Sequence, residues 1–358
     1  MKRSSILAVL LAFVLIFSLV GCGGSSARAS TSTPSAPSEN AESPSVPAEP
    51  AFETTLIKFG TTSAEATMYV QYFKKWGEKV TNATGGKVTI EVYPGSVLGS
   101  SSEMLQSTQL GALDVVVVQP SGCADLGVKK MNLLTLPYLF RDYNQYYNVL
   151  TGDIGKELLD AVTEAKVGLV GFGYYPDGAR HYFTTEAGGA IRSVTDIKGK
   201  KLRIQSYAID QATANALGFS ATSVSIAELY SALQSGVVNG AEQPLSTLVS
   251  NKYYEVSKYV TLDAHSYNIP TLLFSSKSWD GYSDQLKNIL TAAWDECLVE
   301  MRPEIEGYQN EMITTLKDAG LEIIELNDHD AWVNAMAPVY AEYGAGIEDL
   351  IARVEAVK

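Results

Sequence analysis

The chain has 358 residues, a length that predicts two domains or one very large one. Hydrophobic residues make up 46 % of the chain, which excludes disorder of the whole, and the three cysteines and three histidines argue against a disulfide scaffold or a catalytic metal centre. The formal net charge of −13 predicts an acidic surface that repels phosphate backbones, so a general nucleic-acid binder is disfavoured.

Residues 1–21 are typical of a secretory signal peptide. Lys2 and Arg3 precede an apolar run over residues 6–20, which at about 1.5 Å per residue is too short to span a hydrocarbon core of roughly 30 Å. A small residue then precedes Cys22, an arrangement that resembles a bacterial lipoprotein signal. The resemblance implies that Cys22 becomes the mature N-terminus and carries diacylglycerol, whose two acyl chains anchor a protein stably to a membrane. The alternative is an ordinary secreted protein with a chance cysteine.

Residues 22–53 are predicted to form a flexible tether. Ser, Thr, Ala, Pro and Glu dominate the segment, and Val46 and Phe52 are its large apolar residues. Such a composition buries too little apolar surface to offset the entropy cost of ordering, and thirty residues of coil reach on the order of 30 Å. The sequence therefore predicts a globular part that the tether holds near a membrane and leaves free to rotate.

The first half of the globular part alternates between strand and helix patterns. In chain order, the patterns predict a strand at 54–60, a helix at 69–80, a strand at 88–92, a helix capped by Ser100 and Glu103, and strands at 113–119 and 167–175. The last two are continuous apolar runs, which are typical of parallel strands buried on both faces.

The second half continues the same alternation. The patterns predict a strand at 201–205, a helix capped by Ser225 and Glu228, a strand at 237–242 and a long helix from Asp284 that Pro303 should kink or split. Alternating elements favour parallel sheets with right-handed crossovers, and the length of the globular part favours two α/β domains.

No motif in the sequence indicates catalysis. Gly171 and Gly173 lack the third glycine of a dinucleotide loop and lie within a predicted strand, so that interpretation is rejected. His329 stands between two acids, as in a solvated surface cluster, and no spacing of acids suggests general acid–base work. Cys123 and Cys297 could pair outside the cell or remain separate buried thiols. We therefore expect no enzyme activity, no cofactor and no metal.

Two arginines are the candidate binding residues. Strand alternation places Leu202 and Ile204 on one face of the predicted strand at 201–205 and Arg203 on the other. From spacing alone, an Arg203 side chain that points into water is the favoured interpretation, and a ligand role is the alternative. The same two interpretations apply to Arg180.

Five short segments give the sequence a family resemblance. They are residues 92–99 (VYPGSVLG), 111–114 (GALD), 136–140 (LPYLF), 196–203 (DIKGKKLR) and 239–242 (NGAE). In this order, over roughly 300 residues, they resemble the solute receptors of tripartite ATP-independent periplasmic (TRAP) transporters of the DctP type.

The resemblance implies a two-lobed, periplasmic-binding-protein-like α/β fold that closes on an organic acid. Crossover strands and the long kinked helix would join the two lobes. Residues 54–177 plus 269–308 are expected to form lobe I, and residues 178–268 plus 309–358 to form lobe II. The ligand is expected between the lobes, at the carboxyl ends of the strands.

The resemblance also implies which residues bind the ligand. The carboxylate-gripping arginine of the family corresponds to Arg203, whose planar guanidinium can make two parallel hydrogen bonds to a carboxylate. Arg180 matches a second arginine of many members, and Gln119 lies where relatives often place a polar contact. Gln243 departs from the family, in which Asn usually follows the motif glutamate, so its amide sits one methylene further out. The remaining candidate ligand contacts are Asn268, Tyr175 and Ser206.

The sequence thus predicts an extracytoplasmic solute receptor, anchored to the membrane through lipid on Cys22. It would capture an organic acid and deliver it to the TRAP membrane subunits, with no nucleic acid as partner. The open alternatives are a receptor of the same fold that feeds a sensor kinase, an anchored hydrolase with an unrecognised site, and an adhesive protein without a small ligand.

Overall fold

Residues 52–358 are the part of the chain that the computed structural model describes, and within them lie eleven β-strands and thirteen α-helices. The strands are β1 (Thr55–Gly60), β2 (Val88–Tyr93), β3 (Val115–Val118), β4 (Leu169–Tyr174), β5 (Ala179–Thr184), β6 (Lys201–Ile204), β7 (Ser220–Ser223), β8 (Gly240–Pro244), β9 (Tyr259–Tyr267), β10 (Thr271–Ser275) and β11 (Glu322–Glu325). The predicted signal peptide, Cys22 and nearly all of the predicted tether lie outside the described residues.

The helices connect these strands along the whole described chain. They are α1 (Met68–Ala83), α2 (Ser101–Leu110), α3 (Pro120–Asp125), α4 (Tyr143–Thr151), α5 (Asp153–Glu164), α6 (Ala208–Leu217), α7 (Leu229–Gln234), α8 (Leu245–Ser250), α9 (Ser276–Gly281), α10 (Asp284–Asp318), α11 (His329–Ala335), α12 (Ala337–Tyr343) and α13 (Glu348–Ala356). Two 3₁₀ segments, Lys129–Thr135 and Tyr253–Val256, complete the regular structure.

The strands form two separate sheets, which confirms the expected α/β fold with two lobes. The first sheet has the order β2-β1-β3-β10-β4, and the second has the order β11-β9-β5-β8-β6-β7. Both sheets are mixed, so the expectation of purely parallel sheets is wrong. In the first sheet β10 runs antiparallel to β3 and β4, and in the second sheet β5 runs antiparallel to β8 and β9. These antiparallel strands stand where the chain crosses between the sheets, from β4 to β5 and from β9 back to β10.

The long helix α10 runs unbroken through Pro303 for 35 residues, so the alternative of two separate helices is wrong. Met301 and Ile305, on either side of the proline, are fully buried, and their packing holds the helix together although Pro303 donates no backbone hydrogen bond. The helix packs against α1, which covers the first sheet, and against α8 and β11, which belong with the second. In the described part of the chain no helix, α10 included, has both the length and the apolar character to cross a membrane.

One of the two predicted helix caps is confirmed. Ser100 and Glu103 form a reciprocal capping box at the start of α2, with the Ser100 N–H donating to Glu103 at 2.7 Å. The second predicted box is wrong, because the chain makes a turn after Ser225 and α7 begins only at Leu229. Ser225 Oγ instead donates to the carboxylate of Glu228 at 2.7 Å.

The C-terminal helices contact helices α4 and α5, which precede β4 of the first sheet, and helix α6, which follows β6 of the second. Gln145 of α4 donates to the carbonyl of Val354 at 2.9 Å, and Arg353 forms an ion pair of 2.7 Å with Glu157 of α5. Helix α12 also packs against α6, which follows β6 of the second sheet. The predicted lobe boundaries, including the assignment of residues 309–358 to lobe II, therefore remain predictions.

Candidate functional site

A cavity of about 640 Å³ lies at the carboxyl ends of strands from both sheets. From the first sheet it is lined by Ser63, which follows β1, and by Gln119, which follows β3. From the second sheet it is lined by Arg203 of β6, by Ser206 just beyond it, and by Gln243 of β8. Open α/β sheets bind ligands in such crevices because the loops that follow the strands converge there.

Arg203 faces this cavity and is only 4 % exposed, so the water-facing interpretation favoured by spacing alone is wrong. Alternation fixes which face of a strand a side chain occupies, but it does not record whether the rest of the fold covers that face. Arg203 Nε donates to the carbonyl of Val224 at 2.8 Å, whereas Nη1 is buried and lacks a hydrogen-bond partner among residues 52–358. Burial lowers the pKa of Arg203, but an arginine keeps its proton in proteins, so a charged residue with an unpaired buried donor lies at the wall of the site.

Arg180 also lines the cavity, but its guanidinium is fully engaged. Nε and Nη2 donate to the two carboxylate oxygens of Glu242 at 2.5 and 2.8 Å, and Nη1 donates to Asn268 Oδ1 at 2.9 Å. Burial alone would raise the pKa of Glu242, but Arg180 and His265 hold it at about 2. Glu242 is therefore ionised and neutralises Arg180, which leaves Arg203 as the arginine that can meet a ligand.

The amides of Gln119 and Asn268 join the two walls of the cavity. Gln119 Nε2 donates to Asn268 Oδ1 at 2.7 Å, and Asn268 Nδ2 donates to Asp177 at 2.8 Å. Both residues line the cavity, but these bonds already use most of their capacity. The Gln243 side chain also lines the cavity, is 4 % exposed and has no hydrogen-bond partner among the described residues. Its amide is therefore available to a ligand.

Ser206 and Tyr175 are placed differently. Ser206 lines the cavity, with its Oγ 2.7 Å from that of Ser223. Tyr175 is completely buried and does not reach the lining, because Tyr69 and Phe73 pack against it at ring distances of 4.8 and 5.9 Å. Tyr69, the first residue of the helix predicted at 69–80, itself lines the cavity.

An ionic cluster that the sequence patterns do not predict lies beside Arg180. His265 Nδ1 is 2.7 Å from Asp263 Oδ2, and His265 Nε2 is 3.4 Å from Glu242 Oε2. Burial by itself would lower the pKa of His265, but Asp263 and Glu242 raise it to about 9. Burial lowers the pKa of His181 to about 4, and its Nδ1 accepts a hydrogen bond from Ala264 N–H. A cationic histidine, His265, and a neutral histidine, His181, therefore lie side by side. The spacing of Asp263 and His265, which places both on one face of a strand, was the sequence signal that could have indicated this cluster.

Asp210 lies at a smaller neighbouring cavity of about 60 Å³, which Glu242 and His265 also line. Its Oδ2 is buried without a hydrogen-bond partner in the described part of the chain. Burial and the nearby Glu242 raise the pKa of Asp210 to about 7. Within residues 52–358 no group of three or more His, Cys, Asp or Glu side chains could hold a metal ion.

The two cysteines of the described chain are both buried and unpaired. Cys123 follows β3 in α3, and Cys297 lies in α10 against the aromatic core of the first sheet. Of the two alternatives, separate buried thiols are therefore confirmed.

The family comparison matches most of the chain. The model of the DctP family, described as bacterial extracellular solute-binding protein, family 7, matches residues 59–346. The C4-dicarboxylate-binding periplasmic protein DctP of Rhodobacter capsulatus is 33 % identical over 308 residues, which cover 85 % of this chain and 91 % of that protein. The C4-dicarboxylate-binding protein DctB of Bacillus subtilis is 29 % identical, over 80 % of this chain and 82 % of that protein.

Solved structures with bound organic acids are similar over the same region. A TRAP periplasmic solute-binding protein from Pseudomonas putida F1 with bound D-glucuronate is 29 % identical, with a TM-score of 0.80, over 85 % of this chain and 97 % of that one. A second, from Sulfurospirillum deleyianum with bound succinate, is 30 % identical, with a TM-score of 0.79, over 86 % of this chain and all of that one.

Proposed function

Because the chain belongs to the DctP family of bacterial extracellular solute-binding proteins, we propose that it binds an organic acid in the cavity between its two lobes and delivers that acid to TRAP membrane subunits. The observation that carries this proposal is the unpaired Nη1 of Arg203, buried at the cavity wall. Relatives named for C4-dicarboxylate binding, and similar structures that hold glucuronate or succinate, support an acid as the ligand.

The chemistry of Arg203 suits a carboxylate. A planar guanidinium offers parallel donors to both carboxylate oxygens, and charge-assisted hydrogen bonds are worth about 1.5–3 kcal/mol each. An unpaired buried donor costs about 1–3 kcal/mol, which a bound carboxylate would recover. The acidic protein surface does not prevent this, because charges beyond about 8 Å are screened by physiological salt, whereas the contact with Arg203 is direct.

Closure of the lobes is part of the proposal. The cavity walls come from two sheets that are joined by the β4–β5 and β9–β10 connections and by α10. A ligand that contacts Arg203 on one wall and Ser63 on the other favours the closed arrangement through its differential affinity for it. The closed shape would then be recognised by the membrane subunits. Such a receptor performs no chemistry on its ligand.

The location of the receptor is also proposed. A signal peptide over residues 1–21 would export the chain, and lipid on Cys22 would hold it outside the cytoplasmic membrane. The tether would let the globular part reach its membrane partner from this anchor.

A thermal-shift screen tests the proposed function. The purified protein is screened against monocarboxylates, dicarboxylates, sugar acids, keto acids and neutral sugars, and co-purified ligand is identified by mass analysis. We expect an acid to raise the melting temperature by mass action. Turnover of the acid would instead favour the anchored hydrolase.

Arg203→Ala then tests the assigned contact by calorimetry with the best acid. Two charge-assisted bonds predict an affinity loss of about 10²–10⁴-fold. Arg192→Ala is the matched control, because Arg192 forms an exposed ion pair with Glu322 away from the cavity. Wild-type affinity in Arg203→Ala, or a preference for a neutral sugar, would contradict the proposal.

A further inference from the structure

A tyrosine on the wall that the second sheet forms touches the wall that the first sheet forms. Tyr207 lies between β6 and α6, and its hydroxyl oxygen is 3.2 Å from the Oγ of Ser101, at the start of α2. Both residues line the cavity, and Tyr207 is only 8 % exposed. Neither belongs to the β4–β5 or β9–β10 connections, so this hydrogen bond joins the two walls away from the points where the chain crosses between the sheets.

The ring of Tyr207 packs against a glycine of the first wall. Gly122 lies in α3, and a Cβ at this position would be 3.5 Å from Tyr207 Cε1, 3.6 Å from its hydroxyl oxygen and 3.4 Å from Leu105 Cδ2. These are van der Waals contact distances, so the buried site has room for a methyl group but little room for a larger side chain. Ser101, Leu105 and Gly122 together form the Tyr207 contact surface.

The start of α6 makes a further contact with α3. Tyr207 precedes this helix, and its side chain does not cap it. The first backbone N–H groups of a helix lack partners within the helix and carry a partial positive charge. The carboxylate of Asp125, at the end of α3, accepts from the N–H of Ala208, and this bond opposes the rise that burial causes in the pKa of Asp125. The first wall therefore supplies a negative charge to the N-terminal end of α6.

We propose that Tyr207 is a positioning residue that holds the two walls together around a bound ligand and thereby slows the release of that ligand. The inference rests on the proposed function, since it assumes that the lobes close on an acid. Tyr207 meets its contact surface when the walls approach each other, so these contacts stabilise the closed arrangement relative to the open one. Their loss therefore raises the dissociation rate constant and leaves the association rate constant nearly unchanged.

Gly122→Val tests the contact surface without a change in the cavity lining, since Gly122 is outside that lining in the described part of the chain. The probe is the acid that the thermal-shift screen ranks first, with D-glucuronate and succinate among its members. The valine methyl groups should displace the Tyr207 ring, so we expect the dissociation rate constant, measured by stopped-flow displacement, to rise at least about tenfold.

Gly122→Ala is the matched control for this change. Its Cβ fits at contact distance, so the dissociation rate constant should stay close to that of the wild type. Urea denaturation of both variants without ligand measures any loss of folding stability separately from the rates.

Tyr207→Phe and Ser101→Ala test the hydrogen bond between the walls, in a background where α3 is unchanged. Each variant removes one of the two hydroxyls, so each should raise the dissociation rate constant about three- to tenfold. The double variant should show no larger rise than either single one, because all three lack the same bond. Tyr230→Phe is the matched control, since its hydroxyl donates to Glu255 at 2.9 Å in a contact that does not reach the first wall.

The outcomes separate the inference from the proposed function. If no acid of the screen binds the wild type, the proposed function is overturned and the inference with it. If an acid binds but Gly122→Val releases it as slowly as Gly122→Ala, the inference is overturned and the proposed function stands. If Gly122→Val does not fold, the hydroxyl variants decide. Effects of Tyr207→Phe and Ser101→Ala that add in the double variant would mean that each hydroxyl contacts the ligand separately, which also overturns the inference.

Discussion

The two sheets of this protein bury very different side chains. The first sheet packs against an aromatic core in which Phe59 and Phe73 lie 4.7 Å apart and Trp76 and Trp294 lie 5.7 Å apart, measured between ring centroids. The second sheet buries ions, with Arg180, Glu242 and the His265 cluster at its centre. The cavity lies between these regions, and its unpaired arginine, Arg203, comes from the second.

This difference indicates that the two lobes have different roles. Aromatic packing stabilises the first lobe independently of pH, because it depends on buried apolar area and close contact. Buried ion pairs contribute little net stability, since desolvation opposes their attraction, so the charges of the second lobe are better explained by the proposed ligand site that they shape. In this arrangement Glu242 neutralises Arg180 and leaves the charge of Arg203 available to the proposed ligand.

The largest expected effect is on the ionic region, through Glu242→Gln. The variant leaves the buried guanidinium of Arg180 without its carboxylate, and we expect a loss of about 3–5 kcal/mol in the free energy of unfolding, measured by urea denaturation. The double variant Arg180→Met/Glu242→Gln removes the unpaired charge and should be less destabilised than the single variant. Glu164→Gln is the surface control. If the destabilisation of the double variant equals the sum of the effects of the two single changes, the broken ion pair is not the source of the lost unfolding free energy.

Arg203→Lys tests the difference between Arg203, whose charge is available to the proposed ligand, and Arg180, whose charge is neutralised by Glu242. Lysine keeps the charge but loses the forked donors and the bond to the Val224 carbonyl, so affinity for the best acid should fall about 10–100-fold while stability changes little. Calorimetry and urea denaturation measure the two quantities. Arg192→Lys is the matched control, and equal affinities of Arg203→Lys and the wild type would contradict two-point binding.

Trp76→Phe probes the aromatic region. Trp76 is fully buried, and its Nε1 donates to the carbonyl of Leu290 at 2.9 Å. The lost bond and the small void should cost about 1–3 kcal/mol of unfolding free energy, by the same amount at pH 5 and pH 8. Trp279→Phe, at a half-buried site, should cost less. A cost for Trp76→Phe that changes with pH would break the contrast between the two regions.

Asp210→Asn should give the smallest effect and the clearest pH dependence. Burial, then repulsion from Glu242, raises the folded pKa of Asp210 from 3.8 to about 7, so its protonated form stabilises the fold at low pH. That contribution is lost as pH rises from about 4 through about 7. Asparagine does not titrate, so the melting temperature of the variant minus that of the wild type should rise by a few degrees between pH 5 and pH 8.

Other charged groups that face Asp210 are Arg180, Arg203 and His265. They are present in both proteins, so their own titration largely cancels from the difference. Asp330→Asn, an exposed change, is the control and should give a difference that does not vary with pH. A flat difference for Asp210→Asn would show that this carboxyl does not titrate in the interval.

Much of the local structure could be predicted from the sequence. The strands at 54–60 and 88–92 and the helix at 69–80 follow from periodicity, and the capping box of α2 follows from the spacing of Ser100 and Glu103. Strands β5, β7, β9, β10 and β11 are not among the predicted ones; β5 and β7, for example, read ARHYFT and SATS, which mix polar and apolar residues without alternation. The long helix was predicted, whereas its passage through Pro303 depends on buried neighbours.

The sequence by itself determined the family, the α/β class and the candidacy of Arg203, because ordered motifs and short-range periodicity depend on neighbouring residues. Only the tertiary structure decided which arginine is free, since the partners of Arg180 lie 62 and 88 positions away in the chain. It also placed Tyr69 rather than Tyr175 at the cavity. Whether a polar group is satisfied depends on side chains that folding brings together from distant parts of the sequence, and no local pattern records that.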